Sequence, residues 1–363
     1  MKRLIFTVTN DLTYDQRMQR ICGSLAANGY DVLLVGRKLK SSLPPVKKNF
    51  YQKRLYCFFS KGILFYAEYN LRLFFFLLFV KADLFCAIDL DTILPVYFAS
   101  FLRRKKRVYD AHELFTEQKE IVTRPAVHKV WLAVEKFSVP RFMHGYTVNT
   151  FIQQELKRRY GVHYSIVRNL PVFMPLPGQS LTGEKFIIYQ GAVNEGRSFE
   201  TIIPAMRNVP AKLKIYGKGN FLEQVQSLIL QYNVQDKVLL MGHVLPEELK
   251  EITPTAYIAL MLFEETGMNQ YYSLSNRFFD YIMACVPQLC VNYPEYKAIN
   301  DIYGIAYMID DVKEETIAQA LNKLLKDEAL HEQLRQKSVI AREVLNWQQE
   351  EKQLIGFYEQ IFG

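Results

Sequence analysis

The chain has 363 residues, a formal net charge of +8 and 50% apolar residues, which is enough material for two cores and excludes an intrinsically disordered chain. The charge is uneven: residues 1–175 hold 28 Lys+Arg against 13 Asp+Glu, and residues 176–363 hold 17 against 24. Five scattered Cys without a C-x-x-C pair exclude a disulfide framework and fit a reducing cytoplasm, and six dispersed His without H-x₃-H spacing give no zinc site.

The opening MKRLIFTVTND is basic and then apolar, but Asp11 ends the run too early for a signal peptide. RLIFTVTN (3–10) reads as a strand. TYDQRMQRICGSLAANG carries a helical stripe at 18, 21, 25 and 26 that stops at Gly29, and YDVLLVGR (30–37) is the next strand. Such a strand-helix-strand unit implies a parallel sheet. GILFYAEYNLRLFFFLLFVKADLF contains a helix over 62–80. Glu68 and Arg72 interrupt it, and its clean run is far shorter than the roughly 20 residues of a membrane span, so a buried or surface-lying helix is expected. Strands at 83–88, 106–111, 145–149 and 164–169 alternate with helices at 91–102, 125–142 and 150–160.

LPVFMPLPGQSLTGE, rich in Pro and Gly, is the linker candidate. The alternation then restarts, with strands at 186–190, 211–217, 237–242, 256–262 and 287–292 and helices at 198–206, 219–232, 246–252 and 275–285. The chain is helical from 313 on, and Leu345, Leu354, Phe357, Tyr358 and Ile361 form a stripe that needs a surface to bury it. The expected fold class is α/β: two doubly wound domains, 1–175 and 180–344, with a last helix over 345–363.

Ligands of doubly wound sheets bind at the carboxyl ends of the strands. After 186–190 come Gly191, which permits close backbone approach, and Arg197, either a solvated surface cation or a fork for phosphate oxygens. After 211–217, Gly217 and Gly219 bracket Lys218 in a loop suited to a phosphate or ribose. After 237–242, His243 flanks a base or caps a turn. SLSNRFF then opens a helix with Ser275 as N-cap, whose free N–H groups and positive dipole end suit a diphosphate, and Asp280 lies one turn in. Asp91 of D-L-D (89–91) reads as an N-cap more simply than as a metal ligand.

In this order YQGAVNEGRSFETIIPAM, LKIYGKGN, KVLLMGHV and NRFFDYIMACVP resemble the donor-binding half of retaining glycosyltransferases of the GT-B fold, family four. VTNDLTYDQRMQRICGSLAANGYDVLLVGR and VYDAHELFTE are similar to the acceptor-side half. The resemblance implies two Rossmann-like domains facing across a cleft and transfer of a sugar from a UDP- or GDP-type nucleotide sugar to a hydroxyl of a glycan or lipid-linked glycan. It implies retention, no cofactor and no metal. It gives Arg197 and Lys218 to the donor diphosphate, and Gly242, His243 and Val244 to the nucleobase. Asn276 and the amides after it, with Ser275 and Arg277, would hold the distal phosphate, and Asp280 the ribose. His112 would reach the transferred sugar, and the last helix would return to the N-terminal domain. The family's paired glutamates are not matched, since Tyr272 stands eight before Asp280, and Glu264 or Glu265 would substitute. Cys285 stands where Gly is common.

Two other readings stay open. A sugar-nucleotide epimerase would use Glu264, Glu265, Asp110 and His112 as acid and base groups, and an inactive nucleotide-sugar module would explain the missing glutamate. The basic half suggests a polyanionic partner; no nucleic-acid recognition motif accompanies it. Its clusters VKKNFYQKR (46–54), with Lys47, Lys48, Lys53 and Arg54, and RRKKR (103–107) suggest an anionic membrane surface, hence a cytoplasmic protein peripheral on the inner face of the membrane.

Overall fold

The computed structural model describes residues 1–13, 15–175 and 184–363. It forms two compact units, Met1–Asn169 with Glu350–Gly363, and Leu170–Gln349. Residues 176–183 of the linker candidate, and with them the start of the second domain at 180, lie outside the described residues. The units divide after Asn169 and after Gln349, where the sequence reading put 175 and 344. Two bonds lie at these limits: Arg168 N–H donates to Glu350 Oε1 (2.7 Å) in the first unit, and Trp347 N–H donates to Pro171 O (2.8 Å) in the second.

Among its described residues the first unit holds a seven-stranded parallel sheet in the order β3-β2-β1-β4-β5-β6-β7. The strands are β1 Arg3–Thr7, β2 Asp31–Lys38, β3 Tyr51–Tyr56, β4 Leu84–Ile88, β5 Lys106–Ala111, β6 His144–Thr147 and β7 Ser165–Ile166. The second unit holds six parallel strands in the order β10-β9-β8-β11-β12-β13: β8 Phe186–Gln190, β9 Lys212–Tyr216, β10 Val238–Gly242, β11 Ile258–Met261, β12 Gln288–Val291 and β13 Ala306–Ile309. Both sheets are doubly wound. Central strands such as β4 (LFCAI) and β8 (FIIYQ) are buried along their whole length because helices cover both faces, which is why they read as continuous apolar runs.

Two regions differ from expectation. The cluster at 46–54 runs into an edge strand, β3, whose exposed positions alternate with half-buried ones. Its cations are partly engaged: Arg54 reaches Asp11 (3.2 Å) and Thr13 (2.8 Å), and Lys53 stacks over Phe76. Among the described residues only Lys47 and Lys48 of the four stand exposed without such contacts, so this stretch is a structural edge more than a free basic arm. Between β12 and the C-terminal helices, PEYKAINDIY forms the helix Pro294–Tyr303, closed by Gly304 at φ +61°, and β13 follows; neither was expected.

Candidate active site

In each sheet the winding reverses between the first and fourth strands of its unit, and the loops after those strands form the switch point where ligands of this architecture bind. In the second unit these are the loops after β8 and β11. They are tied together: Glu264 N–H donates to Gly196 O (3.2 Å), and Gln270 Nε2 donates to the same oxygen (2.8 Å). Phe263, fully buried, forms the floor. The Arg197 guanidinium lies 4.6 Å from its ring centroid, and that of Arg277 lies 4.8 Å from it and 4.3 Å from that of Tyr189.

Arg197 is thus half-buried, not the freely solvated group its sequence context also allowed. Burial, then the like charge of Arg277, lowers its pKa. Arg277, 7% exposed, donates from Nη1 to Gln190 O (3.2 Å), while its buried Nε has no partner. Among the described residues neither guanidinium pairs with a carboxylate. Two neighbouring cations on aromatic faces, one with an unused buried donor, have the chemistry to receive an anion.

The other residues singled out in the second unit lie in the loops after β8, β9, β10 and β11 and at the start of the helix Asn276–Met283. Gly191 (φ +123°) needs its glycine backbone, and a Cβ there would lie 3.8 Å from Arg277 Nη1. Gly217 and Gly219 have a different cause from the expected phosphate loop. A Cβ on Gly217 would lie 1.9 Å from Gly191 O, and one on Gly219 2.0 Å from Val193 O, so the glycines let two loops touch. The contact is bonded, by Gly191 N–H to Tyr216 O (2.9 Å) and Val193 N–H to Lys218 O (3.1 Å), and it leaves the Lys218 side chain exposed. Gly242 (φ +78°) ends β10 and accepts from Gly217 N–H (2.8 Å); His243 is exposed and Val244 half-buried.

Ser275 stands at the N-cap of the helix Asn276–Met283, but its side chain makes no capping bond, and its own N–H donates to Tyr296 Oη (3.0 Å). Asn276 is exposed at the first turn and Asp280 half-buried one turn on. Glu264 is half-buried and Glu265 exposed. Both lie near Tyr293, whose hydroxyl is pushed up to about 12 by burial, then by Glu265, Tyr271 and Glu264. Cys285 adopts φ +55° just past that helix, the left-handed residue of a Schellman turn closed by Val286 N–H to Tyr281 O (3.0 Å). That conformation is why glycine suits the position.

In the first unit His112 follows β5 and belongs to a buried network. Arg17, from the helix Gln16–Ala27, grips Asp110 through Nη2 (2.9 Å) and Nε (3.3 Å) and donates to Val167 O (3.0 Å). His112 Nε2 lies 3.1 Å from Asp110 Oδ2 and 2.9 Å from Arg17 Nε, and Nδ1 lies 3.3 Å from Asp89 Oδ2. Burial alone would lower the imidazole, but Asp110 and then Asp89 hold it up at about 9, so Nε2 donates to Asp110. Asp110, 0% exposed, stays ionised through Arg17, below its usual range despite burial.

Asp89 sits at φ +53°, a strained conformation costing on the order of 1–3 kcal/mol, held by the His112 N–H on its Oδ1 (2.9 Å). Asp91 is not the N-cap of the helix Ile93–Leu102; Thr92 is, and the Asp91 carboxylate accepts from Thr9 Oγ1. Among the described residues no three or more His, Cys, Asp or Glu side chains are grouped to hold a metal ion. Arg17 and Phe263 were not singled out from the sequence, and Asp89 was read only as part of D-L-D, not as a partner of His112. The i, i+2 spacing of Asp110 and His112 along a strand was the available signal for that pair.

The two sheets, their switch points and the loop-bound cations define a GT-B architecture. Residues 177–339 match the family model of glycosyl transferases, group 1. The chain carries a group 1 glycosyltransferase domain and is a glycosyltransferase. The fold is similar to sucrose-phosphate synthase from Thermosynechococcus elongatus (TM-score 0.79, 15% identity, 100% of this chain and 99% of that one). It is similar to HepE from Anabaena in complex with UDP (0.74, 10%, 99% and 100%) and to WaaG, a glycosyltransferase involved in lipopolysaccharide biosynthesis (0.70, 14%, 97% and 98%). No curated protein matches the sequence significantly.

Proposed function

We propose that the enzyme moves a sugar from a UDP- or GDP-type nucleotide sugar to a hydroxyl of a glycan or lipid-linked glycan, with retention and without a metal, at the cytoplasmic face of a membrane. The observation that carries this is the Arg197–Arg277 pair on Phe263 at the switch point, two cations with no carboxylate partner among the described residues. A departing nucleoside diphosphate gains negative charge as the glycosidic bond breaks. Fixed guanidinium donors stabilise that charge without reorganising, each worth roughly 2.7–4 kcal/mol in the transition state. The complexes of HepE with UDP and with UDP-glucose, and of TarM with UDP, support a uridine nucleotide.

On this reading the open start of the helix Asn276–Met283 holds the distal phosphate, Asp280 the ribose, Gly242 to Val244 the base, and Glu264 or Glu265 the sugar. His112, an imidazolium at neutral pH with Nε2 on Asp110 and Nδ1 beside Asp89, sets positive charge beside the sugar. The epimerase reading loses one of its groups, because Asp110 is fully buried and spent on Arg17. The inactive-module reading is disfavoured by the retained cation pair.

A screen of UDP- and GDP-sugars, read by nucleotide release with and without EDTA, tests the proposal. Release from at least one donor that survives chelation is expected. No release from any donor, with no nucleotide binding, would sink the reading. Loss on chelation with rescue by Mn²⁺ would return Asp89 and Asp91 as a ligand pair.

A further inference from the structure

The helix Gly62–Phe79 has the length and composition of a membrane span, with a mean hydropathy of 1.4 over 18 residues, yet only 22% of it is buried. It does not stand free. Phe65, Tyr69, Leu73 and Leu77, a stripe of every fourth residue, lie buried in the first unit, and the Tyr69 hydroxyl donates to Val8 O. The rest of its surface is open: Ile63 is 79% exposed, Leu71 58%, Phe75 52% and Phe79 84%. Its neighbours extend the surface. The helix Ile93–Leu102 exposes Phe98, Phe101 and Leu102, and the helix Pro125–Ser138 exposes Val130 and Phe137. Between them runs an open groove of ≈ 360 Å³ lined by Phe74, Tyr97, Phe98, Phe101, Leu102 and Phe137, without a charged residue.

The charges lie at one end. The first two helices each follow a parallel strand, so they run the same way and their C-termini share the edge of the unit opposite the strand ends that carry His112. There Lys81 and Arg104 stand exposed, and Arg103 caps the longer helix through Leu77 O and Val80 O (2.6 Å each). Arg141 stacks 4.3 Å over Phe137. RRKKR (103–107) contains no acid, and the Glu68 carboxylate on the apolar helix is neutralised by Arg72 (2.8 Å) and two backbone N–H groups.

We propose that this apolar face, rimmed by cations at its C-terminal edge, seats the enzyme on an anionic lipid bilayer, with the helix Gly62–Phe79 lying in the interface instead of crossing it. Aromatic side chains beside Lys and Arg are the composition of an interfacial surface. Protein interfaces are depleted in Lys, and a second copy would bring a second strongly basic half against the first. The inference is independent of the nucleotide-sugar reading, because donor hydrolysis does not report on it.

Flotation of the full chain with phosphatidylcholine vesicles, with and without phosphatidylglycerol, tests it. The native protein should float with the anionic vesicles. Phe75→Ser/Phe79→Ser/Phe101→Ser should reduce binding at least about tenfold at every salt concentration. Lys81→Ser/Arg104→Ser/Lys105→Ser should remove the preference for anionic vesicles. Nucleotide release and thermal melting should match the native protein in both. Phe79→Ser alone, at an exposed position, gives a graded loss should the triple change disturb folding. The proposal is overturned by absence of flotation, by an aromatic variant that floats like the native chain, or by a concentration-dependent dimer that the aromatic variants dissolve without any vesicle binding.

Discussion

The two sheets share a winding order, yet their switch points are built on opposite principles. At the first, opposite charges alternate: Arg17 holds Asp110, Asp110 holds His112, and His112 holds Asp89. At the second, two guanidiniums share one phenyl ring, and among the described residues no carboxylate answers them. A satisfied network stiffens the loop that presents one imidazolium. An unsatisfied pair stores repulsion that an incoming anion relieves. One fold thus carries alternating charges at one switch point and adjoining like charges at the other.

The contrast can be broken by removing one cation from each. Arg17→Met leaves the Asp110 carboxylate buried and alone, and should cost about 3–5 kcal/mol in urea unfolding. Arg277→Met removes a buried like charge and should be close to neutral in the same assay. Equal losses would mean that the second switch point is as internally paired as the first. Activity should separate them the other way. Arg197→Ala should lower kcat/KM about a hundredfold or more. Its melting temperature should barely move, because the lost ring contact and the relieved repulsion offset. Turnover near the native rate would remove the diphosphate assignment.

The imidazolium sharpens the comparison by pH. His112 is raised in the folded state to about 9, so its contribution is full below the unfolded value of about 6.5 and is lost as pH rises through 9. The wild type should therefore lose stability between about pH 6.5 and 9.5 relative to His112→Gln, as read from parallel unfolding curves, with Asp89, raised by burial to about 8, titrating in the same window. Parallel pH profiles would show that the imidazole is not held charged. The smallest effect concerns Cys285. Cys285→Gly and Cys285→Ala both lose the thiol, but only glycine removes the left-handed penalty of about 1 kcal/mol. The glycine variant should melt higher than the alanine variant, and the reverse order would place the strain elsewhere.

The alternation of strands and helices was legible because buried parallel strands such as LFCAI and FIIYQ are continuous apolar runs. The edge strand β3 was not, since YQKRLY has half its positions in water and reads as a basic loop. At the candidate site, Arg197 was visible from its place after a strand. The pairing with Arg277 was not, because it depends on a helix about eighty residues later turning a side chain inward to Phe263. Gly217 and Gly219 carried a true signal of close backbone approach, but what approaches is the chain's own Gly191 and Val193 carbonyls. Arg17 was hidden in a helix whose apolar stripe drew attention to its neighbours, and only the fold brings it to Asp110, 93 positions on.

The last helix has a consequence for the order of synthesis. Trp347–Phe362 supplies the first unit with Tyr358, which is fully buried among Phe6, Tyr30 and Tyr146, while Glu351 accepts from Ser24 (2.5 Å). The sheet that the ribosome makes first therefore lacks a large part of its core until residues 350–362 emerge, behind the whole second unit. An aromatic of this size missing from a core costs on the order of 3–5 kcal/mol. The second unit, Leu170–Gln349, has no such debt to a later segment, so the half made second is the half that completes its fold first.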